Sequence, residues 1–176
     1  MPERFDGYVT VLREAPLGMV TLRGDLGAAR LRAAVQAATG CEVPPVRGIA
    51  EAAGRDLAWM SPDELLLLCP HDAARGLAAQ LGLALAGLHH LVAEVSDART
   101  GFRLEGAAVR EVLAKLTPAD VARLPVGEIR RSRLGQVAAA FWLTGEDAAR
   151  VIAFRSVADY VFTLLCHAAR PGSEVG

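Results

Sequence analysis

Two stretches of this chain pass through the same order of local signals, and that repetition restricts the fold more than any single motif. In the first, a strand-like run over 19–23 meets Gly24, Asp25 stands where it can cap a helix over roughly 26–38, and Gly40 closes that helix. The segment 42–54 contains Pro44, Pro45 and Gly48 and reads as a connecting loop. Strands over 57–60 and 65–69 flank the turn Ser61-Pro62-Asp63-Glu64 and predict a hairpin. A helix from about Asp72 and a strand over 91–95 complete the unit.

The second stretch repeats the order. A strand over 101–105, the Gly106 turn and a helix over 107–116 come first. Thr117 and Asp120 have capping-box spacing and predict a further helical turn. A strand over 136–143, the turn Thr144-Gly145-Glu146-Asp147 and a strand over 151–154 follow. Ser156 and Asp159 mark the start of a last helix, with Val157, Tyr160, Val161, Leu164, Leu165 and Ala168 on its apolar stripe. The expected class is α+β: two ferredoxin-like β-α-β-β-α-(β) units, over 1–95 and 96–169, with mainly antiparallel sheets and helices on one face. A disordered tail is expected over 170–176. Residue identity between the halves is low, so the order fits a duplication and also the ordinary alternation of α+β chains.

Composition narrows the function classes. A formal net charge of −1 gives no long-range pull toward nucleic acid or acidic membranes. Lys115 is the single lysine, so the remaining cations are arginines, an expected result of GC-rich coding before any phosphate binding is invoked. Three widely spaced cysteines, Cys41, Cys69 and Cys166, suit a reducing compartment rather than a disulfide framework. The first residues are broken by Glu3, Arg4, Asp6 and Arg13 and do not read as a secretory signal, so a cytoplasmic location is expected. The uncharged stretch 76–93 approaches spanning length, but Gln80, Gly82, Gly87, His89 and His90 interrupt it. Its leucines at 77, 81, 85 and 88 describe a one-sided helix followed by a strand.

No catalytic or cofactor constellation emerges from the residues. A G-x-S-x-G elbow, a P-loop and a G-x-G-x-x-G fingerprint are all absent, and no cysteine pair has zinc-ligand spacing. His89 and His90 sit side by side at a strand entrance, where neighbouring side chains point to opposite faces. Cys166 and His167 diverge by about 100° around a helix and cannot form a nucleophile–base pair. Arg130, Arg131 and Arg133 form the densest basic feature, either an anion site or interface rim, or a solvated strand edge. Asp97 is a candidate turn or ligand carboxylate that can accept backbone amides, hold a ligand amine or pair with an arginine. Trp142 alternates with Phe141 on a strand, and Phe162 lies off the last helix's stripe. Either aromatic, if exposed, is a candidate interface anchor.

Several segments, in order along 48–165, resemble the gamma subunit of heterotetrameric sarcosine oxidase. They are Gly48-Ile49-Ala50-Glu51-Ala52, Leu57-Ala58-Trp59-Met60-Ser61-Pro62-Asp63-Glu64, Val95-Ser96-Asp97-Ala98-Arg99, Phe102-Arg103-Leu104-Glu105-Gly106 and Phe154-Arg155-Ser156-Val157-Ala158-Asp159-Tyr160. The resemblance implies a non-catalytic partner in a cytoplasmic bacterial flavoenzyme of alpha, beta, gamma and delta chains. That enzyme oxidises sarcosine to glycine with release of peroxide and passes the one-carbon unit to tetrahydrofolate. FAD, FMN, NAD, zinc and the tetrahydrofolate site are implied for the other subunits and none for this chain. The implied fold is that of the folate-binding domain of the glycine cleavage T-protein. The alternative is a stand-alone folate-binding or one-carbon transfer protein of that fold. A mean hydropathy of +0.28 fits a surface covered by partners.

Overall fold

In the computed structural model, which describes residues 3–175, the chain opens with two short strands, Arg4–Asp6 (β1) and Thr10–Arg13 (β2). There follow Gly18–Gly24 (β3), Ala29–Thr39 (α1), Ile49–Ala52 (β4), Arg55–Ser61 (β5), Glu64–Cys69 (β6), Ala74–Ala84 (α2) and His90–Glu94 (β7). The second series is Arg99–Glu105 (β8), Val109–Ala114 (α3), Arg130–Leu134 (β9), Val137–Gly145 (β10), Ala148–Phe154 (β11) and Ala158–Ala168 (α4). Pro16–Ser96 forms one unit, and the second unit begins at Asp97. Residues 3–15, expected with the first unit, belong instead to the second. The reason is that β2 pairs antiparallel with β8, and β1 pairs in turn with β2.

The first unit is an antiparallel sheet in the order β4-β5-β6-β3-β7. Two crossovers through helices, from β3 through α1 to the β4-β5 hairpin and from β6 through α2 to β7, give the split β-α-β arrangement of ferredoxin-like folds. Val20, Leu22, Leu65, Leu67 and Cys69 meet Leu31, Val35, Leu77 and Leu81 of the helices. The run Glu-Leu-Leu-Leu-Leu-Cys of β6 does not alternate because Leu66 and Leu68, on the opposite face, are buried as well. Asp25 makes an Asx-turn rather than the expected cap: its Oδ1 accepts from Gly27 N at 2.9 Å, and α1 starts at Ala29 with no side-chain cap. Gly40 ends α1 in a left-handed conformation (φ 77°), its N–H bonding Gln36 O.

The expected loop 42–54 contains strand β4. Ala52 faces Arg55 across a two-residue turn at Ala53 (φ 51°) and Gly54 (φ 72°), both in the left-handed region that a tight hairpin requires. An alanine at the first of these positions disguises that turn in the sequence.

The second unit has the order β1-β2-β8-β11-β10-β9. Matching β3 to β8, β5 to β10 and β6 to β11 superposes the two strand orders, and even the irregularities recur. Each central hairpin has a register shift just before its turn, between Trp59 and Ser61 and between Leu143 and Gly145. Phe102, Leu104, Phe141, Leu143 and Val151 pack on Val112, Leu113, Val161 and Leu165. The stripe of α4 is Ala158, Val161, Leu165 and Ala168, while Tyr160 of the expected stripe is largely exposed. No helical turn forms at Thr117. Its Oγ1 accepts from Ala119 N, and the irregular stretch beyond is pinned by Arg110 Nη1, which donates to Val121 O and Leu124 O at 3.0 and 2.7 Å. The tail expected to be disordered is tied down as far as Val175, whose N–H donates to Glu111 Oε1 at 2.9 Å. Gly176 lies outside the described residues. The stretch 76–93 divides into α2 and β7, and among the described residues no helix is long and apolar enough to cross a membrane.

Candidate functional site

The charged side chains of the second unit were its most promising source of chemistry, and they are mostly spent on one another. Asp97 lies in the 3₁₀ turn Ser96–Ala98, and its Oδ1 accepts from Arg155 Nη1 at 2.8 Å. Of the three roles open to it, the arginine pair is the one adopted. The amide-accepting role falls to Glu94, whose Oε1 takes the Ser96 N–H at 3.0 Å. Bonds from Ser96 hold the Glu94 carboxyl below its ordinary pKa. With its side chain 90% exposed, Asp97 lines no enclosed ligand site.

Arg130, Arg131 and Arg133 fall on β9, an edge strand of the six-stranded sheet. Arg130 is held by Glu128. Arg131 and Arg133 share the outer, exposed face while Leu134 is buried on the other, as strand alternation requires. Trp142 is only 1% exposed in the chain, and its ring is capped by the Arg150 guanidinium at 5.8 Å. Phe162 is partly buried, stacked on Phe102 with ring centroids 6.4 Å apart and covered by Arg13 at 5.5 Å. Neither aromatic stands out from the surface as an anchor, because each has been drawn into a cation–π stack.

Those stacks involve residues that local spacing could not single out. Arg13 bridges Glu3 at 3.1 Å and Asp159 at 2.6 Å, and Arg150 Nη2 donates to Glu14 Oε1 at 3.0 Å. Lys115, the one lysine, bonds Tyr8 Oη at 2.6 Å, Glu111 Oε1 at 3.0 Å and the carbonyls of Ala168 and Ser173. Burial pulls its pKa down, but the bonds to Tyr8 and Glu111 outweigh that and the net direction is up. The Glu111 carboxyl is held low by Lys115 first and by the Val175 N–H second. This network joins the N-terminal hairpin, α3 and the C-terminal residues, partners far apart in sequence, which is why no motif announced it.

The thiols and imidazoles are dispersed. Burial raises the pKa of Cys41, Cys69 and Cys166, the opposite of what a nucleophilic thiolate needs. His90 Nδ1 lies 2.9 Å from Leu88 O, which assigns the proton to that nitrogen and fixes the ring to its own connection. Among the described residues no three His, Cys, Asp or Glu side chains come together as metal ligands.

Against this geometry the relatives are informative. Residues 23–170 match the family model described as sarcosine oxidase, gamma subunit family. Sarcosine oxidase subunit gamma of Arthrobacter sp. is 34% identical over 144 residues, covering 78% of this chain and 69% of that relative. A chain of heterotetrameric sarcosine oxidase from Corynebacterium sp. U-96, solved with pyrrole 2-carboxylate, is similar with a TM-score of 0.85 and 29% identity, covering 96% of this chain and 87% of that one. Aminomethyltransferase T of the glycine cleavage system from Bartonella henselae shares the fold alone, with a TM-score of 0.65, 15% identity and coverage of 87% and 44%. A family model spanning most of both units, matched by a solved relative of the same topology, places this molecule: the chain belongs to the sarcosine oxidase gamma subunit family.

Proposed function

We propose that this chain is the non-catalytic gamma subunit of a heterotetrameric sarcosine oxidase and that its work is to support the assembly. The likeness of almost the whole chain to one chain of a solved heterotetramer carries this reading. The behaviour of its polar residues supports it. Several of its acids and bases are engaged in Arg13–Asp159, Glu14–Arg150, Asp97–Arg155 and Lys115–Glu111 pairs, which brace the fold. In this reading the alpha, beta and delta subunits hold FAD, FMN, NAD, zinc and the tetrahydrofolate site, and the assembly demethylates sarcosine to glycine. Arg131 and Arg133 on the exposed face of β9 are the basic contacts offered to an acidic rim on a partner. A stand-alone folate-binding role would need a carboxylate lining a pterin site, and Asp97 is exposed and taken by Arg155.

The test is co-expression with candidate alpha, beta and delta chains, purification through a tag on alpha, and measurement of mass and flavin absorbance. Stoichiometric retention of this chain, and loss of stable assembly when it is omitted, are the expected results. A fully active and stable three-chain enzyme that never retains it would refute the proposal.

A further inference from the structure

The two sheets share one strand order but not one strand count. Position by position, β4-β5-β6-β3-β7 corresponds to β9-β10-β11-β8-β2, and the second sheet then carries β1 outside β2. Among the described residues no strand pairs with β7 on its outer side, so β7 is the edge of its sheet. Leu22 pairs with Val92 of β7 as Leu104 pairs with Val11 of β2, each two residues before a glycine, Gly24 at the end of β3 and Gly106 just after β8. Val92 therefore stands where Val11 stands, and Glu94 where Arg13 stands.

Their surroundings differ as that vacancy requires. Val11 is fully buried and faces Phe5 of β1, which packs onto the unit's core. Val92 packs on the core of its own unit and stays partly exposed. Its neighbour Leu91, on the other face, is 51% exposed. The edge His90-Leu91-Val92-Ala93-Glu94 carries one charge, Glu94, at its end, and no proline, lysine or bulge of the kind that protects many free edges. The ladder to β3 continues in Val95 N–H to Met19 O, which directs the N–H groups of Leu91 and Ala93 inward and those of His90, Val92 and Glu94 outward.

We infer that the outer edge of β7 receives an extended segment of a partner subunit, added antiparallel as a sixth strand in the place that β1 fills in the other sheet. The segment sets an apolar or aromatic side chain beside Val92, as Phe5 does beside Val11. It carries a basic residue near Glu94, reversing the sense of the pair in which Arg13 is bound by Glu3 next to β1. This rests on the proposed role as a subunit and specifies where that role is exercised.

Two variants test it in the assembled complex. Val92→Pro removes an outward donor without touching the ladder to β3, and Leu91→Lys places a charge at a site already half open. Each is co-expressed with the partner chains, with the melting temperature of the isolated variant confirming its fold. Retention in the purified complex is expected to fall roughly tenfold or more for Val92→Pro, about the effect of losing one well-made main-chain contact. The Val92 amide, exchanging freely in the isolated chain, becomes protected on assembly. Wild-type retention by both folded variants, with Val92 exchange unchanged on assembly, overturns the edge assignment and leaves the subunit role intact. Failure to retain the wild-type chain removes both. A homodimer of the isolated chain that Val92→Pro dissolves, with retention unaffected, overturns the inference by giving the edge to a second copy.

Discussion

Gly7 is the point at which the N-terminal hairpin passes the end of α4, and replacing it with alanine tests whether those residues belong to the second unit. A Cβ at this position would lie 2.0 Å from Ala169 O, 2.9 Å from Ala169 C and 2.7 Å from Phe5 Cε1. Two of these atoms are backbone at a helix terminus, so the clash cannot be relieved by turning a side chain. Either the hairpin or the last turn of α4 must move by more than an ångström. That movement breaks the Tyr8 N–H bond to Ala169 O, now 3.0 Å long, and disturbs the Tyr8 hydroxyl bond to Ala168 O. Overpacking costs about 1–3 kcal/mol and the lost hydrogen bond about 1 kcal/mol, so a destabilisation of roughly 2–4 kcal/mol is expected. For a chain of this length that lowers Tm by roughly 5–15 °C. Circular dichroism melting gives the shift, and amide exchange at Tyr8 gives its location. A Gly7→Ala melt superimposable on wild type, with Tyr8 protection unchanged, would refute the placement of the hairpin.

Other perturbations follow from the same packing. Gly76 and Gly82 lie within α2, and an added Cβ at either meets nothing within 4 Å, so Gly76→Ala and Gly82→Ala should each stabilise by about 0.5–1 kcal/mol in thermal melts. Trp142→Ala removes a buried ring and its Arg150 stack, and chemical denaturation should show a loss of about 3–5 kcal/mol. Because the folded Glu111 carboxyl is held below its unfolded value, its contribution is present above the ordinary carboxylate pKa and is lost as pH falls through the folded one. The protection of the Val175 amide, relative to the intrinsic exchange rate at each pH, should therefore fall selectively on acidification, and Glu111→Gln should abolish that pH dependence. Cys41 and Cys69 are buried and Cys166 is partly exposed, so a thiol reagent should titrate at most one thiol in the native chain and three after denaturation.

Much of the fold was legible because its signals are local. The hairpin at Ser61–Glu64, the strands β3 and β10 and the Gly40 helix stop depend on residues adjacent in sequence. What escaped reading depends on distant partners. β1 and β2 are short, charged segments whose strand character comes from pairing, β2 with β8 and β1 with β2, and β4 turns on an alanine in a conformation alanine rarely adopts. The same division holds for the candidate site. Strand alternation placed Arg131 and Arg133 outward, but it could not foresee that Arg155 would take Asp97, that Arg150 would cap Trp142, or that Arg13 would cover Phe162. Asp25 and Ser156 had capping composition, yet each helix begins without a side-chain cap, with the Asp25 carboxylate turned to Gly27 and Asp159 drawn to Arg13.

The exchange of β2 for a strand after α4 also explains how a sheet position comes to be available to another chain. β2 meets β8 from about 90 residues away, whereas β7 meets β3 from about 70. Loop-closure entropy grows only with the logarithm of that span, so the difference is roughly 0.2 kcal/mol. Chain order is thus almost free at this position, and what holds a strand there is its own contacts: Val9 and Val11 in the core, and Arg13 and Glu14 in ion pairs. A segment from a separate subunit faces a different cost, several kcal/mol for lost translational and rotational freedom, which a few main-chain hydrogen bonds cannot supply. A strand added at β7 must therefore belong to a wider contact that meets most of that cost. Disrupting the edge should weaken retention by a definite factor, while the residual binding measures what the rest of the surface contributes.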